Sequence, residues 1–213
     1  MRATTLILAA ALATLAACAS GGGGGPAAAQ DAPRPAQAAQ TPGQVPPGLG
    51  TLKQDQFTVS LRSGALLVKV TPLTESVIRL AAPDTYTRLH ALAESRRAEA
   101  QRRVPGGELQ LFLVSLFSYQ PDVPFQPEDL QLIATGRTLR PAAILPMTAG
   151  WGKQRLGQQE AQAAVYVFDG GIDYGQPLIV RNGMDQSAAW GDIVPLLDEE
   201  RGKVLARANN PRQ

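Results

Sequence analysis

The chain has 213 residues, of which 44% are hydrophobic and 18% charged, with a formal charge of +2. That near-neutral balance lacks the basic footprint of nucleic-acid binding and gives no electrostatic adhesion to anionic lipid. One Cys, Cys18, excludes an intrachain disulfide. One His, His90, leaves no His-rich metal cluster and no His to spare for a Ser or Cys triad.

At the start, Met1-Arg2 supplies a positive charge, and residues 6–15 are an apolar run of about 10 residues, the layout of an export signal. The run falls short of the ~20 apolar residues that a spanning helix needs. Its end, Leu15-Ala16-Ala17-Cys18, resembles the lipobox of bacterial lipoproteins. The resemblance implies that residues 1–17 are a signal peptide cut off before Cys18, and that Cys18 carries diacylglyceryl and acyl (palmitate-type) groups. Two or three buried acyl chains, at roughly 0.8 kcal/mol per CH₂, make a durable anchor that does not cross the membrane. Ala19 after the Cys is similar to the outer-membrane class of these lipoproteins. The implied location is the cell envelope: the outer membrane where one exists, otherwise the outer face of the plasma membrane.

Residues 18–50 follow, with Gly21 to Gly25 in a row and then Ala, Pro and Gln. Large apolar side chains are too few to offset the entropy of ordering, so a disordered tether is expected, with a reach near ~30 Å. Residues 51–213 have the length and apolar content of one domain.

Within that domain, Phe57, Val59 and Leu61, then Leu66, Val68 and Val70, alternate with other residues around Ser63-Gly64, a hairpin signal. Pro72 and Pro83 bracket a short segment that reads equally as a helical turn or an extended piece. Asp84 is placed to cap a helix over 85–103, with Tyr86, Leu89, Ala93 and Ala100 on one stripe. Residues 109–118 form a run apolar enough for a central strand. Pro121, Pro124 and Pro127 make 119–128 a loop. Strands are expected at 130–134, 139–145 (interrupted by Pro141), 163–168 and, as the last, 178–180. Thr135-Gly136-Arg137 and Asp169-Gly170-Gly171 read as turns, and Gly150-Trp151-Gly152 as loop. Asp192 is placed to cap a final helix over 193–208, with Pro195 in its first turn and Gly202 as a weak point.

Short strands separated by Gly and Pro turns predict a mainly β, α+β domain: an antiparallel β-sandwich with flanking helices. In strand rhythm, Phe112-Leu113-Val114-Ser115-Leu116-Phe117 and Val165-Tyr166-Val167-Phe168 resemble the immunoglobulin-like, telokin-like domains of small bacterial surface lipoproteins. The likeness spans about a third of the chain and implies an Ig-like sandwich. The helix over 85–103 departs from that pattern and has to cover a sheet edge or face.

Motifs that carry chemistry are scarce. The chain has no P-loop, no Gly-x-Gly-x-x-Gly between strand and helix, and no Gly-x-Ser-x-Gly. His90, beside Leu89, reads as a boundary histidine. The adjacent pairs Glu128-Asp129 and Glu199-Glu200 point their carboxylates apart, which suits neither to paired acid/base work. Asp169 and Asp173, on either side of a Gly turn, are the weak candidates for a hard cation such as Ca²⁺, with turn geometry as the competing reading. Trp151, with Lys153 and Arg155 close behind, is either a loop-presented binding surface or a ring folded back over the end of the core. Trp190 is expected to pack against the sheet. The functional expectation is a non-enzymatic envelope lipoprotein without cofactor, its partners the membrane through Cys18 and an envelope protein. A module for a small ligand, glycan or peptidoglycan is the alternative.

Overall fold

The structure, a computed structural model, describes residues 45–210. The signal peptide 1–17, the anchor Cys18, Ala19 and most of the expected tether lie outside the described residues. Residues 45–50, which composition assigns to the tether, belong to the folded body: Val45 is buried, as is Leu52 just beyond. Gly50 lies so close to Leu80 that a Cβ there would stand 2.2 Å from the Leu80 carbonyl.

The first hairpin forms as the alternation predicts. Strands β1 (Val59–Ser63) and β2 (Leu66–Pro72) pair antiparallel, Val59 opposite Val70. Gly64 makes the turn at φ 56°, a left-handed conformation that glycine adopts without penalty. Phe57 is not in the strand; it ends a 3-10 turn (Gln54–Phe57) and is fully buried. Between Pro72 and Pro83 both expected conformations occur: α1 (Glu75–Ile78) is one helical turn, and Ala81 bridges Leu52 in parallel. Helix α2 (Pro83–Arg103) buries Leu89, Ala93 and Ala100. Asp84 does not cap it. Ala82 holds the cap position without a side-chain bond, and Pro83 opens the helix where its missing N–H costs nothing. Asp84 sits in the first turn, where its charge suits the positive helix end.

Strand β3 (Leu109–Ser118) matches its predicted span. The proline-rich stretch after it is not all loop, since β4 (Val123–Pro124) pairs with a later two-residue strand. Strands β5 (Leu130–Ala134) and β6 (Arg137–Leu139) form a hairpin through Thr135-Gly136, and β7 (Ala143–Pro146) follows. Gly150-Trp151-Gly152 lies in a 3-10 turn (Ala149–Lys153), followed by β8 (Arg155–Leu156), the partner of β4. Strand β9 (Glu160–Asp169) runs longer than expected at both ends. Strand β10 (Leu178–Asn182) is not the last, because Gly183 turns the chain into β11 (Asp185–Ser187). Helix α3 (Trp190–Asn209) starts earlier than expected and continues through Gly202; Ala189, not Asp192, is at its cap.

All strand pairs are antiparallel, and the strands form a five-stranded sheet (β1-β2-β3-β9-β7), a four-stranded sheet (β11-β10-β5-β6) and the small β4-β8 pair. Asp169-Gly170-Gly171 therefore does not close a hairpin: β9 and β10 belong to different sheets, and residues 170–177 cross between them. Val68, Val70, Phe112, Val114, Ala164 and Tyr166 of the first sheet share one buried cluster with Leu130, Leu132, Leu178 and Val180 of the second. This is an α+β fold of antiparallel sheets around a common core, as in a β-sandwich. The other face of the larger sheet is covered in part by α2, which lies against β3 and β7. There Leu111, Leu113, Leu145, Val165 and Val167 are buried as well, so β3 and β9 are apolar on both faces. No helix among the described residues is long and apolar enough to cross a membrane.

The chain enters this body at the Pro72 end of β2. Leu52 N–H donates to Leu80 O at 3.1 Å, and Gln54 Nε2 donates to Thr71 Oγ1 at 3.2 Å. Arg79 donates to Val45 O (3.2 Å) and Arg207 of α3 to Leu49 O (2.8 Å). Glu200, 3% exposed, accepts from Thr51 N–H and Oγ1, both at 2.9 Å, and from Arg207 at 3.0 Å. Burial pushes the Glu200 carboxyl up, but the Arg207 and Thr51 hydrogen bonds and the guanidinium charge outweigh it, leaving the carboxyl below its ordinary range.

Two predictions follow from these local geometries. Thr135 is β-branched yet sits at φ 48° in the β5–β6 turn, so Thr135→Asn is expected to raise unfolding free energy by about 0.5–1 kcal/mol in urea titration; no change would mean that the turn carries no strain. A depressed Glu200 leaves the unfolded state binding the extra proton, so its contribution is complete above the ordinary value of 4.5 and is lost as pH falls through and below it. Glu200→Gln should destabilise the protein at neutral pH by about 2–3 kcal/mol and flatten the acid limb of stability against pH; an unchanged acid limb would assign that loss to other groups.

Candidate functional site

The end of the strands remote from chain entry holds a groove of about 510 Å³. Two turns and the segment around β4 build it. The β1–β2 turn contributes Ser63, Gly64, Ala65 and Leu66; the segment around β4 contributes Val123, Pro124, Phe125, Gln126 and Asp129; and the β10–β11 turn contributes Asn182 and Gly183. The two sheets are tied at this point. Asn182 Nδ2 donates to Ser63 Oγ at 3.1 Å, and Ser63 Oγ to Asn182 O at 3.4 Å. Gly183 N–H donates to Asp129 O at 3.3 Å, which fixes the β10–β11 turn against the segment before β5. The walls are largely apolar. Asp129 supplies the one carboxylate of the lining, is exposed, and makes no ion pair among the described residues. Met184, at the tip of the β10–β11 turn, is 97% exposed.

Beside the groove, part of the larger sheet's outer face is left bare by α2. Leu67, Phe117 and Ala161 lie in one row across β2, β3 and β9, with Lys69, Ser115 and Ala163 in the next. None of these six is buried, in contrast to Leu113 and Val165 farther along the same face. Tyr119, 60% exposed, meets Phe117 edge to face with centroids 4.6 Å apart, and Met147 is 40% exposed.

Trp151 is not presented at a loop. It is 5% exposed, with Phe125 at 5.1 Å and Tyr166 at 6.2 Å between ring centroids, both edge to face. The ring thus closes this end of the core, and Phe125 lies between it and the groove. Tyr166 Oη donates to Pro127 O at 2.9 Å; burial raises its phenol well above the ordinary range, with Glu128 and Asp129 adding to the effect. Lys153 is exposed, and Arg155 is held by Asp122, with Nε to Oδ1 at 2.5 Å. The Arg155 bond depresses the Asp122 carboxyl. The three residues Trp151, Lys153 and Arg155 therefore do not form one surface.

Asp169 and Asp173 stand on either side of buried Ile172. The Asp169 carboxylate occupies the space that a Cβ on Gly107 would take, and Asp173 Oδ1 accepts from Gly175 N–H at 2.9 Å, a turn geometry. Among the described residues, no three His, Cys, Asp or Glu side chains gather as a metal-ligand set. His90 lies at the chain-entry end. Its Nδ1 is 2.7 Å from Glu75 Oε1, and its ring stacks on Tyr86 at 5.3 Å. Burial raises the Glu75 carboxyl, and hydrogen bonds from Arg79 and His90 then draw it below its ordinary range. Trp190 packs in the core as expected, Nε1 donating to Tyr174 O at 3.1 Å.

Sequence reasoning passed over the groove. Its lining comes from three stretches far apart in the chain, and each stretch alone reads as an ordinary turn or loop.

The placement of Trp151 has a measurable consequence. Trp151→Ala should lower unfolding free energy by about 3–5 kcal/mol in chemical denaturation, as for other buried aromatic truncations; a loss below about 1 kcal/mol would return the ring to the surface.

No known family model, curated protein or solved structure matches this chain.

Proposed function

We propose that the protein is a lipid-anchored, non-enzymatic envelope protein, tethered through Cys18, whose folded domain binds a protein partner with the end remote from chain entry. One observation carries the reading: the bare apolar surface of Leu67, Phe117, Tyr119 and Met147, with Met184 also exposed. Exposed aromatic and methionine side chains on a rigid sheet make good anchors for a protein surface. Their position at the end away from Val45 leaves them accessible when the chain is tethered at its start. The domain is read as an immunoglobulin-like sandwich, supported by the chain's alternation between its two sheets (β3 to β5, β6 to β7, β9 to β10); α2 is an addition to that plan.

A second reading, a small-ligand, glycan or peptidoglycan module, is favoured by the groove, whose 510 Å³ lies within the range of ~300–1,000 Å³ typical of ligand pockets.

The test is photocrosslinking in living cells from a benzophenone side chain at position 119. A dominant crosslinked protein is expected, lost when Phe117→Asp is added and when Cys18→Ala releases the chain from the membrane fraction. Crosslinks spread over abundant envelope proteins and indifferent to Phe117→Asp would overturn the partner reading; a Cys18→Ala chain that stays with membranes would overturn the anchor.

A further inference from the structure

We infer that the groove between the β1–β2 and β10–β11 turns receives a lysine or arginine side chain from an extended segment of the partner protein, with Asp129 as its counter-charge. The inference rests on the partner-binding reading and adds the chemistry of what is bound. Leu66, Val123, Pro124 and Phe125 give the groove walls that match the methylene stem of a long basic side chain. Asp129 adds a carboxylate that the described part of the fold leaves without a cation. The nearby Asp122 behaves differently: its charge is already neutralised by Arg155. A guanidinium or ammonium beside Asp129 would be partly shielded from water by those walls, where a charge pair counts for more than on open surface.

The polar rim agrees with a peptide. Gln126, Ser63 and Asn182 give the groove a polar border, and the two flanking turns are tied by the Ser63–Asn182 and Gly183–Asp129 bonds. The site is thus largely preformed, which limits the ordering cost of binding. Met184 stands clear of the fold beside this rim, where it can close over an apolar neighbour of the basic residue.

The probe is a displayed library of random decapeptides selected on the full-length, detergent-solubilised protein. Bound sequences are expected to be enriched in lysine or arginine flanked by apolar residues. A selected peptide should lose about ten-fold in affinity on Asp129→Asn, and a similar amount when its basic residue is replaced by norleucine, consistent with one partly desolvated charge pair. Asp129 is exposed, so the variant is expected to fold, as circular dichroism will report; Asn182→Leu, which crowds the opposite wall, is a second route to the same loss. Recovery of no peptides, of peptides without basic enrichment, or of peptides that bind Asp129→Asn equally well would overturn the inference. Were the position-119 crosslink to survive in Asp129→Asn while the library showed no basic preference, partner binding would stand and the groove assignment alone would fall.

Discussion

The structure depends above all on the antiparallel pairing of β3 with β9, in register from Leu109 opposite Asp169 to Ser118 opposite Glu160. Both strands are interior to the larger sheet and apolar on both faces over much of their length, so something must cover each side. The smaller sheet takes one face, bringing Leu132 and Val180 against the row that holds Phe112 and Tyr166. Helix α2 takes the other, but only over the stretch of Leu113 and Val165. The Phe117 surface and the groove beside it lie where those two covers run out.

Much of this was legible in the sequence, for reasons that can be named. The largely apolar run of β3 reads as a strand buried on two sides, and Gly64 and Gly136 mark hairpins because left-handed backbone closes such tight turns. The stripe of Leu89, Ala93 and Ala100 foretells the buried face of α2. Other features depend on partners remote in the chain. Strands β4 and β8 are two residues each, too short to show any period. Glu200 looks like half of a solvated acidic pair until Thr51, 149 residues earlier, is brought against it. Trp151 has the flanking glycines and cations of a presented ring, and only Phe125 and Tyr166, from distant segments, turn it inward. Crossing between sheets is likewise a tertiary choice, so Asp169-Gly170-Gly171 looks locally like a hairpin that it does not close.

The division of the surface has a chemical side. Around chain entry, polar groups are mutually satisfied: Glu75 with Arg79 and His90, Glu200 with Thr51 and Arg207, Thr58 Oγ1 with Thr71 Oγ1 at 2.7 Å. At the far end, Tyr119, Met147 and Met184 are exposed, and Asp129 makes no ion pair among the described residues.

The clamp around Glu200 also determines how the domain bears load. Tension arriving along the chain at Val45 meets the Arg79, Arg207 and Glu200 bonds and the Leu52–Leu80 bridge before it reaches β1. Those bonds join the entering segment to Arg79, at the C-terminal cap of α1, and to Glu200 and Arg207 of α3. A pull on the entering segment is thereby shared with the last helix before it reaches the first strand, which begins only at Val59.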